Sequence, residues 1–292
     1  MKLPDLEDLL ALQADARDIR LRLHSPARAR QLGAHRGAQR GRGLEFEEVR
    51  PYAAGDDARS IDWRVSARRG RLHTKLFREE RERPVWLLVD LQPGMFFGSR
   101  LQLKSALAVR AAALLAWTVA QGGDRVGAVI ANGVETVCLP PRARQAGVLP
   151  ILNALLALQP RAPAVPKPQT FGEALRTLQP MVHPGSLVLA ISDFAAQGGT
   201  DASDVIWSTL AAHAECRLFW VTDALERSGL PDGKFRAGLP GRLWPLDGAR
   251  TRAPWLALWQ RRAASLQALS DRLRLSLTRI DTDAALAAQL AA

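Results

Sequence analysis

The spacing of hydrophobic and polar residues changes near residue 84, and from there apolar runs of strand length alternate with longer helical patterns. Residues 85–90 and 186–192 are apolar apart from Asp90 and the serines at the two ends of the second run, which is typical of strands buried on both faces of a sheet. An Asn132–Gly133 turn signal between two further runs indicates a hairpin. This alternation predicts an α/β domain of doubly wound type, built on a mostly parallel sheet.

Hydrophobic periodicity also divides the chain into elements and segments. The predicted helices of the α/β domain cover residues 101–121, 145–158, 171–181, 201–213 and 254–269, and its predicted strands cover 85–90, 125–131, 134–139, 186–192, 216–221 and 273–280. Upstream, a broken leucine pattern predicts an N-terminal helix, and an Arg- and Gly-rich linker follows it. We therefore expect a helix and basic linker over 1–42, a small, charge-dense, partly β module over 43–83, and the α/β domain over 84–292.

The charge of the chain suggests candidate partners. The formal net charge is +11, and residues 17–83 hold 18 Lys and Arg against 10 Asp and Glu, a difference of +8. A basic segment of this kind suits nucleic acid, an acidic membrane surface or an acidic protein. Carboxylates are interleaved with the arginines, which argues against nucleic acid because such surfaces present basic and aromatic side chains without acids.

Cysteines, histidines and apolar stretches exclude several classes of protein. Cys138 and Cys216 lie in strand-like apolar runs and are expected to be buried free thiols, and no histidine stands at zinc-ligand spacing. The N-terminus is acidic and amphipathic, unlike a signal peptide, and the apolar stretch 106–120 is too short to span a bilayer. We expect a cytoplasmic protein with no membrane span.

Polar residues stand where parallel sheets bind ligands, at the carboxyl ends of strands. Asp90 follows the first buried strand, Asp193 follows residues 186–192, and Thr170 stands at a helix start. Two carboxylates and a hydroxyl are hard oxygen ligands suited to Mg²⁺. The alternative is that these residues cap helices and hold loops, and spacing alone does not separate the two hypotheses.

Motifs for catalysis are missing from the sequence. It contains no phosphate-binding loop, dinucleotide fingerprint or nucleophile elbow, and nothing pairs a nucleophile with a base. We therefore expect a binding protein rather than an enzyme. A Mg²⁺-dependent hydrolase that uses Asp90 and Asp193 is the enzymatic alternative.

The densest polar run lies in the module at 43–83. Its candidate binding residues are Glu45, Arg50, Tyr52, Asp56, Arg59, Asp62, Trp63 and Arg68. Arginine pairs bidentately with carboxylates and stacks on tryptophan. The run therefore predicts either an internal Arg–carboxylate network or a recognition surface.

This run resembles the domain-of-unknown-function 58 family. The resemblance rests on Gly-Leu-Glu-Phe at 43–46, Arg-Pro-Tyr at 50–52, Gly-Asp-Asp at 55–57, Arg-Ser-Ile-Asp-Trp at 59–63 and Ala-Arg at 67–68. Further matches are Glu-Glu-Arg at 79–81, Phe-Gly at 97–98, Lys104, Gly-Asp-Arg-Val-Gly at 123–127 and Ile-Ser-Asp-Phe at 191–194. The resemblance covers residues 36–194 well and the remainder loosely.

The resemblance implies a von Willebrand A-like, Rossmann-type fold whose antiparallel edge agrees with the hairpin predicted at Asn132–Gly133. It also implies a non-enzymatic adaptor or scaffold that binds a MoxR-type AAA+ ATPase, or its client, in chaperone-like assembly or activation of complexes. The alternative is a nucleic-acid-binding module that uses the basic N-terminal third.

This sequence departs from the von Willebrand A-like fold at the metal-ligand positions. A metal-ion-dependent adhesion site has Asp-x-Ser-x-Ser after the first strand, and here Gln92 and Gly94 replace both hydroxyls. Asp90, Thr170 and Asp193 are the ligands that remain. Because two of five ligand positions are lost, the pattern argues against a bound ion, and Mg²⁺ is the one candidate cofactor.

Overall fold

The computed structural model describes residues 2–17, 19, 44–53, 56, 58–79, 82–162, 171–195, 201–239 and 241–291. Thr170 and nearly all of the predicted basic linker lie outside these residues. The chain divides into two units, a larger one of Met1–Leu32 with Arg83–Ala292 and a smaller one of Gly33–Glu82.

The helices and strands follow the order that hydrophobic periodicity predicts in most of the chain. The strands are β1 Leu44–Pro51, β2 His73–Glu79, β3 Pro84–Asp90, β4 Arg125–Ala131, β5 Thr136–Ala143, β6 Leu187–Ser192, β7 Glu215–Thr222, β8 Lys234–Leu239, β9 Arg242–Asp247 and β10 Ser276–Asp281. The helices are α1 Leu6–Asp15, α2 Trp63–Arg69, α3 Lys104–Gln121, α4 Gln145–Leu158, α5 Phe171–Leu178, α6 Asp201–His213, α7 Ala224–Ser228, α8 Gly248–Leu273 and α9 Leu286–Ala291.

A six-stranded sheet forms the centre of the larger unit. Its strands lie in the order β10-β7-β6-β3-β4-β5, and neighbours run parallel except for β5, which is antiparallel to β4 at the edge. This is a Rossmann-like α/β fold, and it confirms the predicted mostly parallel sheet and edge hairpin.

Helices cover both faces of this sheet, which explains why the central strands are apolar throughout. Along β3, Val85, Leu87 and Val89 pack in one core with α1, α3 and α4. Trp86 and Leu88 point to the opposite core, with α5, α6 and α8, because successive side chains of a strand alternate between its faces. No helix within the described ranges is long and apolar enough to cross a bilayer.

Strand order places one crevice at the centre of the sheet. From β3 the chain passes through α3 to β4 on one side, whereas β6 pairs with the other side of β3. The carboxyl ends of β3 and β6 therefore flank the point where strand order reverses, which is where open α/β sheets bind ligands.

Several local predictions need correction. Cys138 is exposed, not buried, because β5 is an edge strand with one uncovered face, whereas Cys216 is buried as predicted. The helix predicted at 254–269 begins earlier, at Gly248, because Asp247 caps it, and Pro254 lies inside it. The helix predicted from residue 101 begins at Lys104. The β8–β9 hairpin is an addition that the hydrophobic pattern did not predict.

A bulge between β4 and β5 depends on Gly127. A methyl group there would lie 2.7 Å from both the carbonyl oxygen of Leu139 and the nitrogen of Pro141. We expect Gly127→Ala to lower the free energy of unfolding by about 1–3 kcal/mol, because backbone atoms of a packed edge must shift. Gly122→Ala is the matched control, since its new methyl would meet nothing closer than 3.4 Å. Urea unfolding that gives the two variants equal stability would contradict this account.

Candidate functional site

Six polar residues lie at the carboxyl edge of the sheet, around the crevice between β3 and β6. We call this group the carboxyl-edge cluster; it consists of Asp90, Lys104, Ser192, Asp193, Asp223 and Glu226. Strand ends supply Asp90, Ser192 and Asp193, and the start of α3 supplies Lys104. All except Glu226, which is partly exposed, are buried.

Lys104 is the central cation of the cluster. Its side chain is 2% exposed, and its Nζ lies 2.7 Å from Asp193 Oδ2 and 2.8 Å from Glu226 Oε1. Burying an ammonium group is unfavourable unless it is paired and hydrogen-bonded. The two carboxylates supply that pairing, so Lys104 joins the end of β6 to helix α7.

Helix capping holds Glu226 in place. Asp223 caps α7 by accepting from the amide of Leu225, and Glu226 Oε2 accepts from the amide of Asp223. Asp223 also accepts from Ser99 and from the hydroxyl of Thr282, at 2.6 Å for the latter. Asp223 therefore ties the loop after β3 and the residue after β10 to the same helix.

Both carboxylate oxygens and the backbone carbonyl of Asp193 accept hydrogen bonds. Its Oδ1 accepts from the amide of Ala195 at 2.8 Å, while its backbone carbonyl accepts from Trp220 Nε1 and from Arg262. The next residue, Phe194, has a φ of 50°, a left-handed conformation that is costly for a bulky side chain. Strained backbone of this kind persists where surrounding contacts determine it, as they do here.

Among the described residues, the hydrogen-bond donors to Asp90 are neutral. Its Oδ1 accepts from the amide of Gln92 at 3.0 Å, and its Oδ2 accepts from Ser192 Oγ at 2.6 Å. Ser192 Oγ in turn accepts from the amide of Phe194. The serine hydroxyl therefore links the end of β3 to the strained turn after β6.

The two aspartates of the crevice have opposite protonation behaviour. Burial, together with the charge of Asp193, raises the pKa of Asp90 to about 7. Burial alone would also raise the pKa of Asp193, but the charge and hydrogen bond of Lys104 hold it below its usual value. Burial opposes the charged form of Lys104, yet Asp193 and Glu226 together raise its pKa. One carboxyl therefore titrates near neutrality and the other stays ionised.

A divalent cation does not fit this arrangement. Asp90 and Asp193 lie at neighbouring strand ends, and Gly94 lies beside Asp193, since a methyl group on it would be 3.9 Å from Asp193 Oδ2. However, Asp193 already binds the ammonium of Lys104, and Asp90 accepts from an amide and a hydroxyl. In the described part of the chain, no three His, Cys, Asp or Glu side chains are grouped to hold a metal.

Sequence reasoning identified Asp90 and Asp193 but assigned no role to Lys104, Asp223 or Glu226. The Asp-x-x-Glu pattern of 223–226, directly after a buried strand, is a capping-box signal that points to this helix start. Lys104 offered no signal from spacing, because a lysine at a helix start is ordinarily exposed.

The smaller unit contains the predicted recognition surface, and part of that surface is an internal network. Arg50 Nη2 lies 2.6 Å from Asp56 Oδ1, and Tyr52 Oη donates to the carbonyl of Asp56 at 3.1 Å. Asp56 Oδ2 also accepts from the amide of Ala53. Arg50, Tyr52 and Asp56 therefore brace the turn after β1.

The other described motif residues lie in or just before helix α2. Asp62 caps α2 by accepting from the amides of Arg64 and Val65, both at 3.0 Å. Trp63, the first residue of α2, is 68% exposed, and Arg59 and Arg68 are also exposed. The side chain of Glu45 lies outside what the structure describes. The motif run thus combines a braced turn with an exposed tryptophan–arginine surface.

A model of the family described as "Protein of unknown function DUF58" matches residues 48–228. The chain belongs to the DUF58 family. This confirms the family that the motif run indicated, and the matched region contains the whole carboxyl-edge cluster of this DUF58 protein.

Curated relatives of this DUF58 protein include uncharacterized proteins of Mycobacterium tuberculosis and Mycobacterium bovis. Each is 39% identical over 132 residues, which is 45% of this chain and 41% of the relative. The chain therefore matches less than half the length of these relatives.

Two solved structures also resemble this chain. One is the conserved hypothetical protein BatB from Bacteroides thetaiotaomicron, at 15% identity and a TM-score of 0.42, covering 71% of this chain and 93% of that one. The other is described as an aerotolerance-related membrane protein from Bacteroides fragilis, at 16% identity and a TM-score of 0.40, covering 71% and 94%. Both are distant similarities.

Proposed function

We propose that this DUF58 protein is a non-enzymatic cytoplasmic adaptor that binds a MoxR-type AAA+ ATPase or its client during assembly or activation of a protein complex. The observation that carries the proposal is Trp63, which is 68% exposed at the start of α2, within the run of motifs typical of the family. Tryptophan and arginine are the side chains that most often dominate binding energy at protein interfaces. Trp63 and Arg68 are the proposed anchors.

The carboxyl-edge cluster supports a non-enzymatic role. In this proposal the larger unit is a von Willebrand A-like domain in which the ammonium of Lys104 takes the position of the divalent cation. A tethered ammonium paired with two carboxylates offers neither an open coordination position nor a bound water for hydrolysis. The cluster then acts as a brace that holds α3, α7 and the strand ends in one arrangement.

Substitution of Trp63 tests the proposed anchor. We expect Trp63→Ala to weaken binding to the MoxR-type ATPase of the same organism by about 30-fold or more, since an interface hot spot contributes about 2 kcal/mol or more. Titration calorimetry with purified proteins, with and without ATP, measures the change. Trp244→Ala is the matched control, because Trp244 is an exposed tryptophan of the larger unit. If wild-type protein binds no MoxR-type ATPase in either condition, the proposal is wrong.

A further inference from the structure

The β8–β9 hairpin is a separate two-stranded sheet inserted between α7 and α8. Its base is held firmly: the amide of Gly248 donates to the carbonyl of Gly233 at 2.8 Å, and Arg252 pairs with Asp232 at 3.0 Å. A methyl group on Gly248 would lie 1.8 Å from the carbonyl oxygen of Pro231, so the chain segments at the base are in close contact. The hairpin is therefore a short two-stranded element whose base packs closely against its flanking segments.

Large apolar side chains of β9 are left uncovered. Leu243 is 52% exposed and Trp244 is 42% exposed. Their partners across the hairpin are the smallest residues available, Gly238 opposite Leu243 and Ala237 opposite Trp244. Because successive side chains of a strand alternate between its faces, Leu243 and Trp244 point to opposite faces of this two-stranded sheet, and both lie close to its turn.

Basic side chains lie on both faces of the hairpin: Arg242 shares a face with Trp244, and Arg236 shares the other face with Leu243, as does Lys234 at the base opposite Asp247. Lys234, Arg236 and Arg242 are exposed, and residues 233–246 contain no Asp or Glu. The guanidinium of Arg242 lies 5.0 Å from the ring centroid of Trp244, which orders both groups. Lysine and arginine on edge strands also prevent unwanted strand pairing. That role explains the charges but not the exposed leucine and tryptophan beside them.

We propose that the β8–β9 hairpin docks this protein on an anionic lipid bilayer. The turn end of the hairpin enters the interfacial region, where tryptophan is favoured, so that Trp244 on one face and Leu243 on the other both contact lipid. Lys234, Arg236 and Arg242 bind the acidic headgroups. The net charge of +11 adds a longer-range attraction to the same surface. The matched DUF58 region ends at residue 228, so this surface is additional to whatever the family region binds.

Size and side-chain type favour a bilayer over other acidic partners. Strands of six residues give a hairpin face of roughly 20 Å by 10 Å. A stable protein interface needs about 800 Å² from each partner, several times that area. Nucleic acid is bound by basic and aromatic side chains, and an exposed aliphatic residue such as Leu243 gains nothing from stacking on bases. A bilayer interface accepts both the aliphatic and the aromatic side chain.

Vesicle co-sedimentation of the full chain tests the proposal. The probes are vesicles of phosphatidylcholine mixed with phosphatidylglycerol, beside vesicles of phosphatidylcholine alone. Wild-type protein is expected to bind only the anionic vesicles, and more weakly as salt is raised. Lys234→Ser/Arg236→Ser/Arg242→Ser is expected to weaken binding ~100-fold, at about fivefold per basic residue. Leu243→Ser/Trp244→Ser is expected to weaken it roughly tenfold or more.

Leu258→Ser/Val205→Ser is the matched apolar control, because these two residues are 53% and 63% exposed on α8 and α6. Equal binding to both kinds of vesicle, or hairpin variants that bind as the wild type does, would overturn the proposal. So would hairpin variants that lose binding to a single-stranded oligonucleotide instead of vesicles. Trp63→Ala is expected to keep its vesicle binding, which separates this inference from the proposed ATPase binding.

Discussion

Replacing Lys104 with methionine is expected to lower the free energy of unfolding by about 3–5 kcal/mol, the cost of removing one partner from a buried ion pair. Methionine has nearly the same length but no charge, so the cavity contribution is small. Asp193 and Glu226 would then keep two negative charges near each other without the ammonium that lies 2.7 and 2.8 Å from them. The loss comes from those unpaired charges.

Urea unfolding of the Lys104→Met variant measures this loss. Lys234→Met is the matched control, since Lys234 is exposed on the hairpin and is expected to change stability by less than about 0.5 kcal/mol. Adding Asp193→Asn to Lys104→Met is expected to recover part of the loss, because one unpaired charge is removed. A double-mutant cycle gives the coupling energy of the pair. Equal unfolding midpoints for Lys104→Met and Lys234→Met would show that the ion pair is not a brace.

Stability is expected to fall as pH rises from about 4 to about 7, because Asp90 holds its proton in the folded protein. Its pKa is raised from 3.8 to about 7, so the folded state binds more protons than the unfolded state between these values. The proton-linked stability is fully present below the lower value and is lost as pH passes the upper one. The shift corresponds to roughly 4 kcal/mol.

Asp90→Asn tests this assignment, because an amide resembles the protonated carboxyl in shape and carries no charge. The variant is expected to lose most of the pH dependence of its unfolding free energy and to be more stable than wild type above about pH 7. Asp232→Asn, at an exposed carboxylate, is the control and is expected to keep the wild-type slope. If Asp90→Asn unfolds with the same pH dependence as wild type, Asp90 is not the group that titrates.

These two expectations describe one electrostatic arrangement. Lys104 stabilises the charged form of Asp193, and the charge of Asp193, together with burial, favours the neutral form of Asp90. A variant that removes Lys104 is therefore expected to change the titration of both aspartates. The cluster behaves as a unit in which one cation determines which carboxyl is ionised.

Sequence by itself determined the architecture and the family. Apolar runs identify β3 and β6 because a strand covered on both faces is apolar along its length, with polar side chains only at its carboxyl end. The Asn132–Gly133 turn identified the edge hairpin, and the motif run identified DUF58. The carboxyl ends of these strands also located Asp90 and Asp193 at the crevice, since parallel strands end at the same edge.

Only the tertiary structure decided what those aspartates bind. Lys104 is 89 residues from Asp193 and 122 residues from Glu226 along the chain, and a lysine at a helix start is ordinarily exposed. Its burial arises because α3 begins at the crevice, where β6 and α7 bring two carboxylates within reach of its ammonium. Such pairing depends on where three separate segments of the chain meet in the fold. Local hydrophobic periodicity does not indicate which residues far apart in sequence come into contact.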